Sequence, residues 1–178
     1  MIQRKINIIL FIVGLLFISM NNIYGQAAID IPLTLTDNQG GTKQLRFGLD
    51  PAATNNIDPA LGESDLPPFP PTGVFEARWT LNFAPISLNL SSYWDYRNAP
   101  AFPFTGPVTH RILWQYSEFA TSMTFTYNLP VGAEMVITSN NSTPLWTTGT
   151  LTGSGTYVLS DPDNGYTAAR VLRIILEN

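Results

Sequence analysis

The chain has no cysteine. That excludes thiol catalysis, cysteine-ligated zinc, iron–sulfur clusters and covalently attached haem, and it leaves stability to packing and hydrogen bonds. Histidine is nearly as scarce. His110 is the only one, so a multi-histidine metal centre is excluded, and a Ser–His–acid triad would have to use that single ring. Charge is sparse and of the wrong sign for nucleic acid: 9 basic against 13 acidic side chains give a net charge of −4. An acidic chain attracts neither DNA nor anionic lipid heads. There is no G-x-S-x-G elbow, and the glycine-containing stretch 149–155 lacks the Lys-Ser/Thr ending and following helix of a phosphate loop. Beyond residue 27 no helix longer than a turn is expected, although the apolar residues of AARVLRIIL would also suit one.

What is present begins with an export signal. Arg4 and Lys5 form a short positive segment, followed by an apolar run from Ile6 to Met20 and a small-residue exit. The run is shorter than the roughly 20 residues of a bilayer helix. Residues 1–27 are therefore expected to be a signal peptide, cleaved after Gly25 or after Ala27. Without a cysteine, an acylated lipoprotein anchor is excluded. Residues 28–178 then form one domain, without a second apolar stretch long enough to span a membrane. Loss of Arg4 and Lys5 leaves 7 basic and 13 acidic side chains. The expected location is secreted, at the cell surface or extracellular, with the periplasm as the alternative.

The rest reads as strands and turns. Residues 28–36 place Ile29, Ile31, Leu33 and Leu35 on one face, the period of a half-buried strand, with Pro32 marking an edge or a bulge. The turn 37–41 leads into 42–50, where Leu45, Phe47 and Leu49 alternate with polar residues, so the two segments predict a hairpin. From Asp50 to Gly73 the periodicity stops. This Pro-rich loop, 50–73, is long for a connection inside a domain and predicts an ordered, strand-covering loop pinned by Ile57, Leu61, Leu66 and Phe69. Alternation resumes at 74–83, 108–116 and 123–129. Further strands are expected at 134–140, 144–149, 155–161 and 168–178, the last from its Val and Ile content, with a short strand and an aromatic turn within 87–98. About nine or ten strands without a fixed-period repeat predict an all-β fold, an antiparallel β-sandwich of jelly-roll or immunoglobulin-like outline.

The segment 31–78 carries TDNQGG, FGLDPAAT, IDPALGE, LPPFPP and GVFEAR. It resembles a β-domain module of secreted and surface proteins of the Bacteroidota–Chlorobi–Ignavibacteria group, often in cargo of type IX secretion. THRILWQYSE (109–118) and MTFTYNLP (123–130) extend the resemblance loosely. The resemblance implies a surface location and no particular activity. The last predicted strand reaches Asn178, so no sorting domain is expected.

Several side chains are candidates for chemistry. Asp50, Asp58, Glu63 and Asp65 lie in the Pro-rich loop and could offer oxygen ligands to a structural Ca2+. Asp161 and Asp163 of DPDNG resemble part of a calcium loop without its closing glutamate. The competing expectation is that these carboxylates accept turn and cap hydrogen bonds. Among enzymes the least unlikely class is a glycoside hydrolase using Glu76 and Glu118, which would need carboxylates about 5–10 Å apart. Glu76, two positions from Arg78, is instead expected on a solvated or cross-strand paired surface. His110, between Val108 and Ile112 on one face, is expected to be a buried or half-buried structural histidine. Tyr93, Trp94, Tyr96 and Trp146 are candidate exposed rings for stacking on a polysaccharide, whereas Trp79 and Trp114 alternate as core residues do.

These readings converge on a non-catalytic extracellular or cell-surface protein, structural or adhesive. It would act through contacts with its own copies or with other envelope or extracellular proteins, with no cofactor required. The alternative is a carbohydrate-binding module using the exposed aromatics. An edge strand is the expected contact element.

Overall fold

The computed structural model describes residues 27–81, 90–100, 103–104, 106–139, 146–160 and 170–177. The expected signal peptide up to residue 26 and the DPDNG turn with Asp161 and Asp163 lie outside the described residues.

Eleven strands are described: β1 (Ile29–Asp37), β2 (Thr42–Asp50), β3 (Glu76–Thr80), β4 (Ser91–Ser92), β5 (Trp94–Asn98), β6 (Val108–Gln115), β7 (Ser122–Asn128), β8 (Glu134–Ser139), β9 (Leu151–Thr152), β10 (Ser154–Ser160) and β11 (Arg170–Glu177). They form two sheets, one ordered β10-β7-β1-β2-β5 and the other β4-β3-β6-β11-β8-β9. The all-β sandwich expected from the alternation is the fold observed. One pair departs from the expected antiparallel pattern: β5 lies parallel to β2. The long chain between them, which passes through the other sheet, makes that direction accessible.

The alternating residues meet between the sheets. Ile31, Leu33, Leu35, Leu45, Phe47, Leu49, Met123 and Phe125 from the first sheet face Ala77, Trp79, Ile112, Trp114, Met135 and Ile137 from the second. Two segments belong to both sheets. Residues 91–98 leave the second sheet after β4, turn at Tyr93 and enter the first as β5. Residues 151–160 do the same on the other flank, turning at Gly153, whose φ is 58°. Such strands make the corners of a sandwich.

Three local expectations are corrected. Pro32 does not mark an edge, because β1 lies between β2 and β7. It is tolerated because the ladder to β7 begins only at Leu33, so its missing N–H falls beyond the end of that ladder. Of the expected aromatic turn only Tyr93 is a bend, while Trp94 and Tyr96 lie in strand β5. Within 144–149, only an isolated bridge from Thr147 to Thr138 is described.

The β1–β2 hairpin closes through Asp37. Its Oδ1 accepts the amides of Gln39 (3.0 Å) and Gly41 (2.7 Å), and its Oδ2 accepts that of Ser117 (2.9 Å) in the β6–β7 connection. Two glycines near this hairpin differ in what surrounds them. A Cβ on Gly48 would stand 1.9 Å from the Ile29 carbonyl oxygen, at a φ of 156°; one on Gly40, at φ 88°, would meet nothing within 4 Å. Gly48→Ala is expected to destabilise the protein by about 2–4 kcal/mol and Gly40→Ala by about 1 kcal/mol. Urea unfolding of the two variants, read at their midpoints, checks that order.

Candidate functional site

The β5 strand inverts the usual arrangement. Its aromatic residues Trp94 and Tyr96 face away from the sandwich, and its charged residues Asp95 and Arg97 are buried. Asp95 Oδ1 pairs with Arg97 Nε at 2.8 Å, and Asp95 Oδ2 with His110 Nδ1 on β6, also at 2.8 Å. Arg97 Nη1 donates to Asn55 Oδ1 (3.1 Å) and to the Leu81 carbonyl (3.2 Å). The His110 ring stands edge-on to Phe47 and Trp79, with centroids 5.0 and 5.8 Å away. One buried ionic group thus ties the edge strand of the first sheet to β6 of the second and to the Pro-rich loop. Removing one member of such a group is far more costly than the group's net contribution, because it strands a buried charge.

The Pro-rich loop lies along the β4–β5 edge as a strap. A proline-rich chain offers carbonyl acceptors but few N–H donors, and here the body of the protein supplies the donors. Arg78 Nη1 reaches the Pro67 carbonyl at 2.6 Å, and its guanidinium lies 4.2 Å from the Phe69 ring centroid. Gln115 Nε2 donates to the carbonyls of Pro70, Pro71 and Val74 (3.2, 3.0 and 2.7 Å), and Asn98 Nδ2 to that of Pro51 (2.6 Å). In the other direction, the Leu66 amide bonds the Ser91 carbonyl at 3.0 Å. Beneath the strap, Ala27, Ala53, Leu61 and Tyr96 form a second small apolar cluster, with Trp94 packed against it. Gly62 permits this approach, since a Cβ there would stand 1.9 Å from the Trp94 ring.

Glu63 fastens the strap. It is buried, and its Oε1 accepts the Tyr96 amide at 2.7 Å while its Oε2 accepts the Asp58 amide at 3.0 Å. A backbone donor of the edge strand therefore ends on a strap carboxylate. Burial pushes this carboxyl up to about 7, against the two amides, which favour the ionised form; the charges of Asp95 and Asp58 add to the rise.

The other proposed ligands and catalysts are occupied in similar ways. Asp50 accepts the amides of Ala28 and Ala52, Asp58 those of Thr54 and its hydroxyl, and Asp65 that of Ser91. The bonds of Ala52 to Asp50 and of Thr54 to Asp58 are local turn bonds, whereas those of Ala28 to Asp50 and Ser91 to Asp65 join distant segments. Among the described residues no group of three or more carboxylates or histidines is placed to hold a metal ion. Glu76 is not solvated: it is buried, 3.3 Å from Arg78 Nη2, Lys43 Nζ and the Tyr93 hydroxyl. Glu118 is exposed in the β6–β7 turn. His110 is fully buried, and its Nε2 has no hydrogen-bond partner among the described residues.

The four rings assigned to a sugar platform do not share a surface. Tyr96 is buried and its hydroxyl bonds Asp30 Oδ1 at 3.0 Å. Trp94 is packed against the cluster under the strap, Tyr93 reaches Lys43 and Glu76, and Trp146 packs on the main core beside β8, at the far side of the second sheet. Alternation along 93–96 does not reveal that a strap covers that face, so Tyr96 is buried and Trp94 half-buried where the pattern exposes them.

The opposite flank carries no comparable cover among the described residues. The Leu129 amide bonds the Gly153 carbonyl at 2.9 Å, and the β7–β10 register pairs Gly155 with Tyr127 and Tyr157 with Phe125. In an antiparallel ladder the bonded positions alternate. Gly155, Tyr157 and Leu159 therefore bond inward to β7, and the backbone groups of Ser154, Thr156, Val158 and Ser160 point outward. β10 is the border strand of its sheet, and it has neither charge nor proline. Val158 is 53% exposed. A hollow of about 290 Å³ lies at the foot of this edge between residues 129–134 and 152–153; no aromatic ring lines it, so it offers a sugar no stacking surface.

Comparison with protein-family models, with curated proteins and with solved structures returned no match.

Two outcomes follow from the strapped edge. Trp94→Ala is expected to destabilise the protein by about 2–3 kcal/mol in urea unfolding, as a packed ring does, whereas loss of an exposed stacking ring costs under about 0.5 kcal/mol. The second concerns pH. The Glu63 carboxyl titrates near 7 in the folded protein and near 4.5 unfolded. Between those values the folded state holds the extra proton, so stability rises as pH falls. A gain of about 1–3 kcal/mol is expected on going from pH 8 to pH 5, measured by unfolding at each pH, and Glu63→Gln is expected to flatten that slope. Asp37 acts in a separate, lower window. Burial opposes its ionisation, but bonds from Ser117, Gly41 and Gln39 outweigh that and hold its carboxyl below 3.8, so its contribution is lost only as pH falls below that value.

Proposed function

We propose that this is a non-catalytic protein of the cell surface or extracellular space, structural or adhesive, which acts through protein–protein contacts made by the β10 edge. The observation that carries the reading is the difference between the two flanks. Proteins guard sheet borders with charge, proline, bulges or covering loops. The β4–β5 border has a proline-rich cover held by Glu63, Arg78 and Gln115. β10 presents outward backbone groups on a strand, SGTYVLS, without charge or proline and, among the described residues, without a covering loop. An added strand would take its affinity from main-chain bonds and its selectivity from side chains flanking the edge. The export signal read in residues 1–27, and the resemblance of 31–78 to surface-protein modules, support the location. The buried Asp95–His110 pair supports a structural role for the sole histidine. The polysaccharide alternative has less support, since Tyr96 and Trp94 serve the strap.

Val158→Pro tests this reading. The Val158 N–H points outward, so proline removes an edge donor without breaking the β7 ladder, and the expected cost in stability is under about 1 kcal/mol. Cells or beads displaying the variant are expected to lose the self- or surface-adhesion shown by the wild type. Adhesion unchanged by Val158→Pro contradicts the reading, and adhesion abolished by soluble polysaccharide but not by Val158→Pro moves it to carbohydrate binding.

A further inference from the structure

The outward-facing residues of β10 read Ser154, Thr156, Val158, Ser160. Threonine and valine have nearly the same shape, so the series is small, β-branched, β-branched, small. It is close to self-complementary about Tyr157. We propose that the occupant of this edge is a second copy of the chain, joined by antiparallel β10–β10 pairing about a two-fold axis at Tyr157. This rests on the reading of β10 as the contact edge and adds its partner and register.

Backbone geometry narrows the choice of register. Only even-numbered residues of β10 have free outward N–H and C=O groups, so an antiparallel partner must match even to even. Centring on Tyr157 sets Ser154 opposite Ser160 and Thr156 opposite Val158, which uses every outward group on both copies. Centring on Thr156 or on Val158 leaves one outward residue of each copy unmatched. In the Tyr157 register the non-bonded pairs are Tyr157 with Tyr157 and Gly155 with Leu159, and cross-strand pairs of aromatic residues are favourable. No charges meet, although the chain as a whole is acidic. The result is one sheet continuous through both copies. An isologous contact closes on itself. With the strap over the other border, assembly stops at two chains rather than growing into a filament. A contact made mainly by one seven-residue strand is smaller than the roughly 1,600 Å² of a standard interface, so the dimer is concentration-dependent.

The absence of cysteine makes the register directly measurable. In the proposed dimer, residues 156 and 158 of different copies lie about 5.5 Å apart at Cα, within disulfide range. Two residues 156, or two residues 158, are diagonal neighbours about 7–8 Å apart. The exported protein is prepared as Thr156→Cys and as Val158→Cys; each is oxidised alone and as a mixture, while light scattering follows the wild type and Val158→Pro across a concentration series. The expected result is a wild-type mass that rises from one chain to two and no further, a monomeric Val158→Pro, and at least about tenfold more cross-linked dimer in the mixture than in either variant alone. Like-with-like cross-links overturn the register. A wild-type protein that stays monomeric at every concentration overturns self-pairing; Val158→Pro-sensitive adhesion would then still uphold the edge reading with a different protein as partner. A dimer indifferent to Val158→Pro overturns the inference, and if adhesion is equally indifferent the edge reading falls with it.

Discussion

A strand at the border of a sheet carries backbone N–H and C=O groups that the sheet cannot satisfy, and a buried group left unpaired is costly. In this protein the Tyr96 amide on β5 meets that requirement through the Glu63 carboxylate, 2.7 Å away in a loop far from it in sequence. Much of the molecule's first flank is arranged around this bond. It sets where the strap lies, which side of β5 becomes an interior, and why a carboxyl sits in a place where burial drives it towards neutrality. The small cluster of Leu61, Ala53, Ala27 and Tyr96 depends on the strap being held there.

The strap also explains a pattern of polar burial that would otherwise look unfavourable. Glu76, Arg78, Asp95, Arg97 and His110 are all buried, in a protein with few charges to spend. Each has a partner that binds one layer to another. Arg78 joins β3 to Pro67, Arg97 joins β5 to Asn55 and Leu81, and His110 joins the second sheet to Asp95 in the first. Without disulfides, these bonds fix the position of a loop whose prolines cannot donate. The opposite flank has no such arrangement among the described residues, where no backbone bond to the outward groups of β10 is found.

Sequence pattern was sufficient for the sheets and for a covering loop at 50–73, and insufficient for which strands that loop covers and which side chains it buries. Alternation at Ile31–Leu35, Leu45–Leu49 and Met123–Tyr127 identified the inward faces, because a two-residue period has one apolar side whichever strand lies next to it. The same logic failed at Trp94 and Tyr96 and at Glu76. The strap gives the aromatic side of β5 a second interior, and its Glu63 lies 33 positions before Tyr96, while Glu76 is enclosed by Lys43, Arg78 and Tyr93. Pro32 misled for a related reason. Its cost depends on where the neighbouring ladder begins, which is a matter of strand order and not of local sequence. The single histidine in an apolar alternation was legible as structural, but its aspartate partner lies 15 residues away on the other sheet. The outward groups of β10 could not be identified before the register with β7 was known.

The account claims that one border is closed and the other open. Amide hydrogen exchange, measured at a protein concentration low enough to keep the chains apart, tests that claim most directly. The amides of Tyr96 and Leu66 should be strongly protected, while those of Thr156 and Val158 exchange rapidly beside protected Tyr157 and Leu159. Rapid exchange at Tyr96, or strong protection at Thr156 and Val158 in the isolated chain, would contradict it.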